Sequence, residues 1–226
     1  MRGLVSSSAQ GHMEGHVTWH FAKMRTSFSH AVRLIQVRPR TNGLHLLGVT
    51  PCPFVQRIQF ALAHLGQPYH YQEIDLGSLE ERKYLDSLTP YGRLPVLLHE
   101  NHVLWESAAI VQYVDDCFAG EHLRLMGTSA DVRSFQRSWT HFANTRIATC
   151  MWDLLFADPE HVPELLKRVQ IAFREFDSAV AIHGGPFVAG TRIGFTDIMI
   201  APLLQRRKLL EHFKVGWQLI LDLIVD

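Results

Sequence analysis

Long apolar runs, an even set of cysteines and an excess of charge of either sign are all missing from this 226-residue chain. No uninterrupted apolar segment reaches the ~18–20 residues that a helix needs to span a bilayer. The 22 basic and 22 acidic residues cancel to a formal net charge of zero, so charge gives no reason to expect a nucleic acid or an anionic membrane as partner. Three cysteines cannot all pair within one chain, which disfavours a secreted disulfide scaffold and indicates a reducing compartment, the cytoplasm.

The composition is that of a folded protein. Apolar residues make up 47% of the chain, enough to form a core, and the length suits two small domains.

Residues 1–42 differ in composition from the rest. They hold six basic residues against one acid, Glu14, together with the serine run Ser6–Ser8 and four histidines. Such a segment is typical either of an organellar transit peptide or of an upstream extension that packs on nothing. We expect the second, a disordered N-terminal extension, with delivery to an organelle as the alternative.

Short elements of alternating type are predicted for residues 43–118, from apolar periodicity and turn residues. Their order is strand, helix, strand, helix, strand, strand, helix, over Leu44–Val49, Phe54–Leu65, Tyr69–Ile74, Leu79–Leu88, Leu94–Leu98, His102–Trp105 and Ser107–Phe118. A parallel strand pair with a crossover helix, then a hairpin and a covering helix, makes a small α/β layer.

From about residue 128 the pattern is helical only. Helices are predicted over Val132–Phe156, over Pro163–Ile182 and from Gly194 past Leu204. The predicted organisation is therefore an α/β domain over 43–118, a linker over 119–127 and an all-α domain over 128–226.

Cys52 is the first candidate for chemistry. It follows a predicted strand and precedes Pro53, which suits the first turn of a helix. At a helix N-terminus, exposed N–H groups and the helix dipole stabilise a thiolate, which is the nucleophilic form. Residue 55 is Val55 rather than a second cysteine, so this is a monothiol and an external thiol must complete its cycle. The tripeptide alone is equally typical of a buried structural cysteine, and we expect Cys117 and Cys150 to be core cysteines.

Three motifs together carry a family resemblance. The run Cys52–Arg57, the tripeptide Leu94-Pro95-Val96 and the run Glu106–Ile110, in this order and followed by helices, resemble the glutathione S-transferase superfamily. The cysteine motif is most similar to the omega class and to bacterial omega-like members. The resemblance covers about residues 44–213 and implies a thioredoxin-like N-terminal domain followed by a helical one.

The resemblance also implies roles for residues. Cys52 would be catalytic, and glutathione, as co-substrate, would bind at Phe54, Leu94, Pro95, Glu106 and Ser107. It implies a cis peptide bond before Pro95, so that the backbone of Leu94 pairs with the extended cofactor. Ser107, at a helix start, would hold the γ-glutamyl carboxylate, and Glu106 its α-amino group. From the dipeptide alone, simple helix capping is the alternative. No metal is implied.

Departures from the family pattern concern two positions. The lysine that contacts the glycine end of glutathione has no clear counterpart, and the basic residues nearby are Arg82, Lys83 and Arg93. Family members usually have a Ser or Thr as the N-cap of a later helix, and in this chain that position is Gly194. Asp197 can still accept a hydrogen bond from the N–H of Gly194. We expect Asp197 to be structural.

Two further expectations concern the helical domain. A second substrate would lie between the domains, and its pocket could be lined by the aromatic residues Trp139, Phe142, Trp152 and Phe156. Their spacing is also what core packing requires, and we expect core packing for each of them. Family members usually continue beyond residue 213 with further helices, so we expect a shortened helical domain with some apolar surface uncovered.

The expected function is that of a glutathione-dependent thiol transferase or reductase working through a mixed disulfide of Cys52 with glutathione. Its other substrate would be a small electrophile or disulfide, and the resemblance admits a homodimer. Conjugation would be weak, since it requires a hydroxyl that holds the thiolate of the cofactor. The alternative is a non-catalytic protein-interaction module of the stringent-starvation type.

Overall fold

The computed structural model describes residues 41–182 and 184–212. The predicted N-terminal extension, apart from its last two residues, and the tail after residue 212 lie outside this part of the chain.

Four strands form one mixed sheet in the order β2-β1-β3-β4. Strand β1 (Thr41–Gly48) pairs in parallel with β2 (Tyr69–Glu73) and antiparallel with β3 (Val96–Glu100), which pairs antiparallel with β4 (His102–Trp105). Helix α1 (Pro53–His64) makes the crossover between the two parallel strands. The predicted order of strands and helices is confirmed, with strand bounds shifted by up to three residues.

Both faces of the central strands β1 and β3 are buried. Helices α1 and α3 (Ser107–Phe118) cover one face, and α2 (Leu79–Leu88) lies with the core on the other. Successive residues of β1 point to opposite faces: Leu46 belongs to the cluster beneath α1 and α3, whereas Leu47 packs with Leu85 and Leu88 of α2.

The second half of the chain is helical. It contains α4 (Ala130–Phe142), a π-helical segment (Ala143–Ala148), α5 (Thr149–Leu155), α6 (Val162–Ile182) and α7 (Phe195–His212). The single helix predicted over Val132–Phe156 is wrong in one respect, because the π-helical segment interrupts its α-helical bonding. Apolar periodicity reports which face is buried but does not distinguish i→i+5 from i→i+4 hydrogen bonds.

Helix α7 begins as the sequence predicts. One carboxylate oxygen of Asp197 accepts a 2.8 Å hydrogen bond from the N–H of Gly194, and the other accepts from Val188 at 3.0 Å. Burial raises the pKa of Asp197, against the lowering effect of these bonds. The carboxylate is therefore a structural acceptor that joins the preceding loop to the helix.

The two halves share a core. Phe195, Ile198 and Met199 of α7 belong to the same buried cluster as Val55 and Ile58 of α1. The helix that begins beside Cys52 is thus held between the sheet and the helical half, and the predicted α/β layer followed by helices is confirmed.

Within the described ranges, no helix combines the length and the apolar character needed to cross a membrane.

Candidate functional site

The sheet register brings the three predicted motifs to one edge. Leu47, near the end of β1, pairs with Val96 at the start of β3, and Val96 pairs with Trp105 at the end of β4. The segments that leave β1, enter β3 and leave β4 therefore lie side by side. These segments carry Cys52, Leu94-Pro95 and Glu106-Ser107.

Cys52 is the N-cap residue of α1, and Pro53 occupies the first turn, as the sequence predicts. Its backbone is extended (φ −63°, ψ 124°), its side chain makes no capping hydrogen bond, and the residue is half-buried. The thiol therefore lies at the N-terminus of a helix, packed against the core cluster beneath α1 and α3.

Polar contacts from β2 hold the loop before Cys52. The carboxylate of Glu73 accepts hydrogen bonds from the N–H of Thr50 at 2.7 Å, from its hydroxyl at 3.2 Å and from the hydroxyl of Tyr71 at 2.7 Å. The bond from the N–H of Thr50 is the main reason that the pKa of Glu73 is lowered. Desolvation is the main reason that the pKa of Tyr71 is raised to about 12.

A residue of the helical half holds the same loop from the other side. The guanidinium of Arg206 donates to the carbonyl oxygen of Pro51 and, at 2.7 Å, to Oε1 of Gln56. Burial lowers the pKa of Arg206, and a negative charge on Cys52 acts in the opposite sense. Arg206 thus lies within electrostatic reach of the thiol.

Leu94 and Pro95 are joined by a cis peptide bond, as the resemblance implies. Pro95 is buried and Leu94 half-buried. The backbone of Leu94 lies outside the strands and has no hydrogen-bond partner within the described part of the chain. It is therefore available to an extended ligand.

Glu106 and Ser107 start α3. Glu106 is exposed and has φ of 67°, in the left-handed region that a side chain rarely adopts. Such conformations persist where the surroundings impose them and are common at binding sites. Ser107 is buried, and its Oγ accepts a 3.1 Å hydrogen bond from Nη1 of Arg57.

Arg57 is the residue whose importance the motifs left unassigned. It is fully buried, and its guanidinium lies over the ring of Phe54 at 4.8 Å from the centroid. Burial lowers its pKa to about 10, with the charge of Cys52 opposing this, so it stays protonated at neutral pH. A signal existed: Arg57 sits beside Ile58 and four residues before Ala61, on the apolar face of the predicted helix.

The three basic residues that could contact the glycine end of glutathione have different surroundings. Arg82 donates to the carbonyl oxygen of Leu76, Arg93 lies 5.9 Å from the ring centroid of Tyr91, and Lys83 is exposed. Their role stays a prediction.

The other cysteines differ from each other. Cys150 is buried, as predicted, but Cys117 is exposed, so the prediction of a core cysteine is wrong there. Cys117 is the last residue but one of α3 and lies on the exposed side of the helix.

The four aromatic residues of the predicted substrate pocket also differ in burial. Trp139 and Phe142 pack against the core of the helical half, as expected. Trp152 and Phe156 are 58% and 56% exposed, so core packing is wrong for this pair. Their rings contact each other at 4.9 Å between centroids.

Away from the sheet edge there is a cleft of about 400 Å³. It includes none of the predicted site residues and is lined by Gln112, Asp116, Arg124, Met126, Gly127, Thr128, Arg133 and Arg137. Among the side chains of the described ranges, no group of three or more His, Cys, Asp and Glu is arranged to hold a metal ion.

Known proteins are similar to this chain in sequence and in architecture. The profile of the family "Glutathione S-transferase, N-terminal domain" matches residues 46–122. The probable glutathione S-transferase GSTU1 of Oryza sativa subsp. indica is 31% identical over 175 residues, which are 70% of this chain and 71% of the relative.

Two solved structures are similar. Glutathione transferase Omega 3C from Trametes versicolor has a TM-score of 0.66 and 25% identity, covering 80% of each chain. The Tau class glutathione S-transferase MiGSTU from mango, Mangifera indica, has a TM-score of 0.67 over 76% of this chain and 78% of that one. At 23% identity it shows the fold alone. Omega and Tau proteins are both similar, so the comparisons do not select a class.

Proposed function

Because the chain belongs to the glutathione S-transferase family, we propose that it transfers glutathionyl groups through a mixed disulfide between glutathione and Cys52. The chain is a glutathione transferase, and glutathione is its co-substrate. The finer proposal is that its chemistry is omega-like thiol transfer and reduction, with Cys52 as nucleophile.

The position of Cys52 carries this proposal. Cys52 is a half-buried thiol at the N-cap of α1 and makes no capping hydrogen bond, and the guanidinium groups of Arg57 and Arg206 interact with it electrostatically. A helix N-terminus with neighbouring cations is the environment in which reactive cysteines are found. A second thiol for internal resolution is missing from the first turn, where Val55 is buried. The acceptor of the glutathionyl group must therefore come from solution.

The proposed cycle has two exchange steps. The thiolate of Cys52 attacks the glutathione sulfur of a mixed disulfide RS–SG, and the RS–SG bond breaks to release RS⁻, which takes a proton from water. The thiolate of a second glutathione then attacks the Cys52–glutathione disulfide, giving oxidised glutathione and regenerating the Cys52 thiolate. In total, RS–SG and one glutathione thiolate from solution give RS⁻ and oxidised glutathione, because the substrate itself brings the other glutathionyl group.

The proposed binding residues lie on the segments that the sheet register brings beside the segment of Cys52. The free backbone of Leu94, before the buried Pro95, would pair with the cysteinyl unit of glutathione. Phe54, Glu106 and Ser107 would complete the site, with Ser107 holding the γ-glutamyl carboxylate at the start of α3. The second substrate would be a small electrophile or disulfide.

Three finer statements belong to the same proposal. The glutathione-binding unit would comprise residues 43–118, the linker 119–127 and the helical unit 128–226. The enzyme would act in the cytoplasm, because its cycle consumes reduced glutathione. It would form a homodimer, which light scattering after size-exclusion chromatography would report as twice the monomer mass of 25.8 kDa.

Two measurements test the nucleophile. Mass spectrometry after incubation with oxidised glutathione should show one glutathione adduct on Cys52. Cys52→Ser should abolish reduction of a glutathione mixed disulfide, whereas Cys117→Ser and Cys150→Ser should retain it. Equal loss in all three variants would mean that the assay reports folding, and the proposal would be withdrawn.

Two further assays separate the alternatives. In Cys52→Ser a hydroxyl takes the place of the competing thiolate, so conjugation of glutathione to 1-chloro-2,4-dinitrobenzene should increase as reduction is lost. Strong conjugation by the wild type would contradict the omega-like proposal. Failure of the wild type to bind immobilised glutathione would favour the non-catalytic interaction module instead.

A further inference from the structure

Two histidines face each other across the parallel strands at one edge of the sheet. His45 of β1 and His70 of the edge strand β2 are direct register partners. Their rings lie 4.8 Å apart between centroids, with 32° between the ring planes. His45 is half-buried and His70 is exposed, so the pair is open to solvent on one side. Neither histidine belongs to the proposed glutathione site.

A hydrogen bond fixes which ring nitrogen of His45 is free. Nε2 of His45 lies 3.2 Å from the carbonyl oxygen of Asn42. A carbonyl oxygen only accepts, so Nε2 carries the proton in this bond. In the neutral ring Nδ1 then keeps its lone pair, which is the form that binds a metal ion. Histidine ligands of metal ions commonly donate their other N–H to a backbone carbonyl in this way, because the bond fixes the ring and raises its basicity.

His70 supplies a second imidazole beside the first. Among the described residues its ring contacts His45 and makes no hydrogen bond, so its nitrogens have no competing partner there. A metal–nitrogen bond is ~2.0–2.1 Å long, so two nitrogens on one ion lie within about 4 Å of each other. Rings 4.8 Å apart between centroids reach this separation with a small rotation about their side-chain torsions.

The other facing pair of histidines in the sheet lacks these features. His99 and His102 are register partners in β3 and β4. Nδ1 of His99 lies 2.9 Å from the hydroxyl of Tyr113, and both rings contact the ring of Tyr113. Facing positions on neighbouring strands therefore do not by themselves leave imidazole nitrogens free, and the His45–His70 pair is distinguished by its own contacts.

We propose that His45 and His70 bind one divalent transition-metal ion of the kind that imidazole prefers, such as Zn²⁺ or Ni²⁺. Nδ1 of His45 and one ring nitrogen of His70 would be the protein ligands, with water at the other positions on the exposed side. Two protein ligands are fewer than the four of a closed structural zinc site. We therefore expect a reversible site that strengthens the fold and is not required for folding.

The consequence of binding would be local. An ion on this pair joins β2 to β1, and β2 carries Tyr71 and Glu73, whose hydrogen bonds hold the loop before Cys52. Occupancy would thus stabilise the strand that supports this loop, although the ion itself contacts neither Cys52 nor glutathione.

Two other places in the chain could take up the same ions and need controls. Residues 1–40 include His12, His16 and His20, spaced four apart, and short histidine-rich tracts bind metal ions by themselves. Thiolates are also zinc ligands. Isothermal titration calorimetry with Ni²⁺ and with Zn²⁺ gives the Kd and the number of ions per chain for the wild type and five variants: His45→Gln, His70→Gln, His102→Gln, Cys52→Ser and the triple change of His12, His16 and His20 to Gln.

The Kd of one bound ion should rise in His45→Gln and in His70→Gln by at least the tenfold that loss of an outer hydrogen-bond partner costs. His102→Gln is the matched control, because it removes an exposed histidine of the other facing pair, and it should bind as the wild type does. Cys52→Ser and the triple variant should keep this ion. At a free metal concentration about 100 times the Kd, the Tm should rise by about 5–10 °C, except in His45→Gln and His70→Gln.

Unchanged metal binding in His45→Gln and His70→Gln would overturn this inference. Loss of the ion in the triple variant alone, or in Cys52→Ser alone, would overturn it as well and assign the metal to those residues. Circular dichroism shows whether the half-buried His45→Gln folds, and if it does not, the exposed His70→Gln decides. None of these readouts uses glutathione, so failure here leaves the proposed function unaffected.

Discussion

Asp197 reaches back across the first turn of α7 to accept a 2.8 Å hydrogen bond from the N–H of Gly194, and accepts a second at 3.0 Å from Val188. Both donors are backbone groups: Gly194 lies at the helix start, and Val188 lies in the loop before it. We expect Asp197→Ala to lower the free energy of unfolding by about 3 kcal/mol, the lower end of the sum for two hydrogen bonds to a charged acceptor, because Asp197 is only half-buried. Urea unfolding followed by circular dichroism measures this.

The matched variant is Asp197→Asn, whose single amide oxygen can still accept one of the two bonds. It should fall between the wild type and Asp197→Ala. Equal stability of all three proteins would contradict the structural role of the carboxylate.

Gly48 allows α1 to lie close to β1. A Cβ at this position would come within 2.7 Å of Cγ1 of Val55 and 2.9 Å of the ring of Tyr71. Gly48→Ala should therefore displace the start of α1 and cost about 1–3 kcal/mol of stability. The rate of alkylation of Cys52 should change with it, and differential scanning calorimetry and a thiol assay test both effects.

Gly120→Ala is the control for this substitution. A Cβ there meets nothing within 4 Å, so neither stability nor thiol reactivity should fall. An equal loss in both variants would mean that Gly48 has no special role.

Glu73 should make the loop before Cys52 sensitive to acid. The fold lowers the pKa of Glu73 from its ordinary value of 4.5. Ionised Glu73 therefore stabilises the folded protein above pH 4.5, and this stabilisation is lost as the pH falls through the pKa of Glu73 in the folded state. At pH 7, Glu73→Gln should have a Tm lower by about 2–4 °C, the effect of one largely exposed polar contact. Below about pH 4 the difference should shrink, because the wild type is then neutral as well.

Thermal unfolding of both proteins between pH 3 and pH 8 measures this difference. A gap that stays constant over the whole range would show that the charge of Glu73 does not hold Thr50.

Arg206 should influence the reactivity of Cys52 from the helical half. Arg206→Met removes a half-buried cation and its bond to Gln56, and should slow alkylation of Cys52 by iodoacetamide at pH 7 about twofold to fivefold. Raising the salt concentration should slow the wild type toward the variant.

Arg137→Met is a suitable comparison, because Arg137 is an exposed arginine of α4 that bonds to Gln112. Its alkylation rate should equal that of the wild type. Equal rates for Arg206→Met and the wild type would exclude an electrostatic role for Arg206.

The fold was largely predictable from two local patterns. The short apolar run Leu44–Gly48 reflects a strand buried on both faces, and the helical period of Phe54–Leu65 reflects the buried face of α1. The π-helical segment Ala143–Ala148 was not predictable, since its difference lies in hydrogen bonding rather than in which residues are buried. The exposure of Cys117 and Trp152 depends on where neighbouring helices lie, which one sequence does not specify.

The candidate site was predictable only where motifs exist. The motifs around Cys52 and Pro95 could be named, and the strand register then explains why they meet. For Arg57 the sequence shows only a place on the apolar face of the predicted helix, and for Arg206 it shows no signal. Their partners are distant in sequence: Met199 follows Arg57 by 142 residues, and Arg206 follows Pro51 by 155. Long-range contacts of single polar side chains leave no local pattern.

The bond from Arg57 to residue 199 ends on a main-chain carbonyl oxygen rather than on a side chain. Any amino acid at position 199 supplies that oxygen, provided that α7 keeps its course. The two halves can therefore diverge in sequence independently while the connection survives, and chimaeras that exchange the helical half with that of a relative should keep it without a compensating mutation at that position.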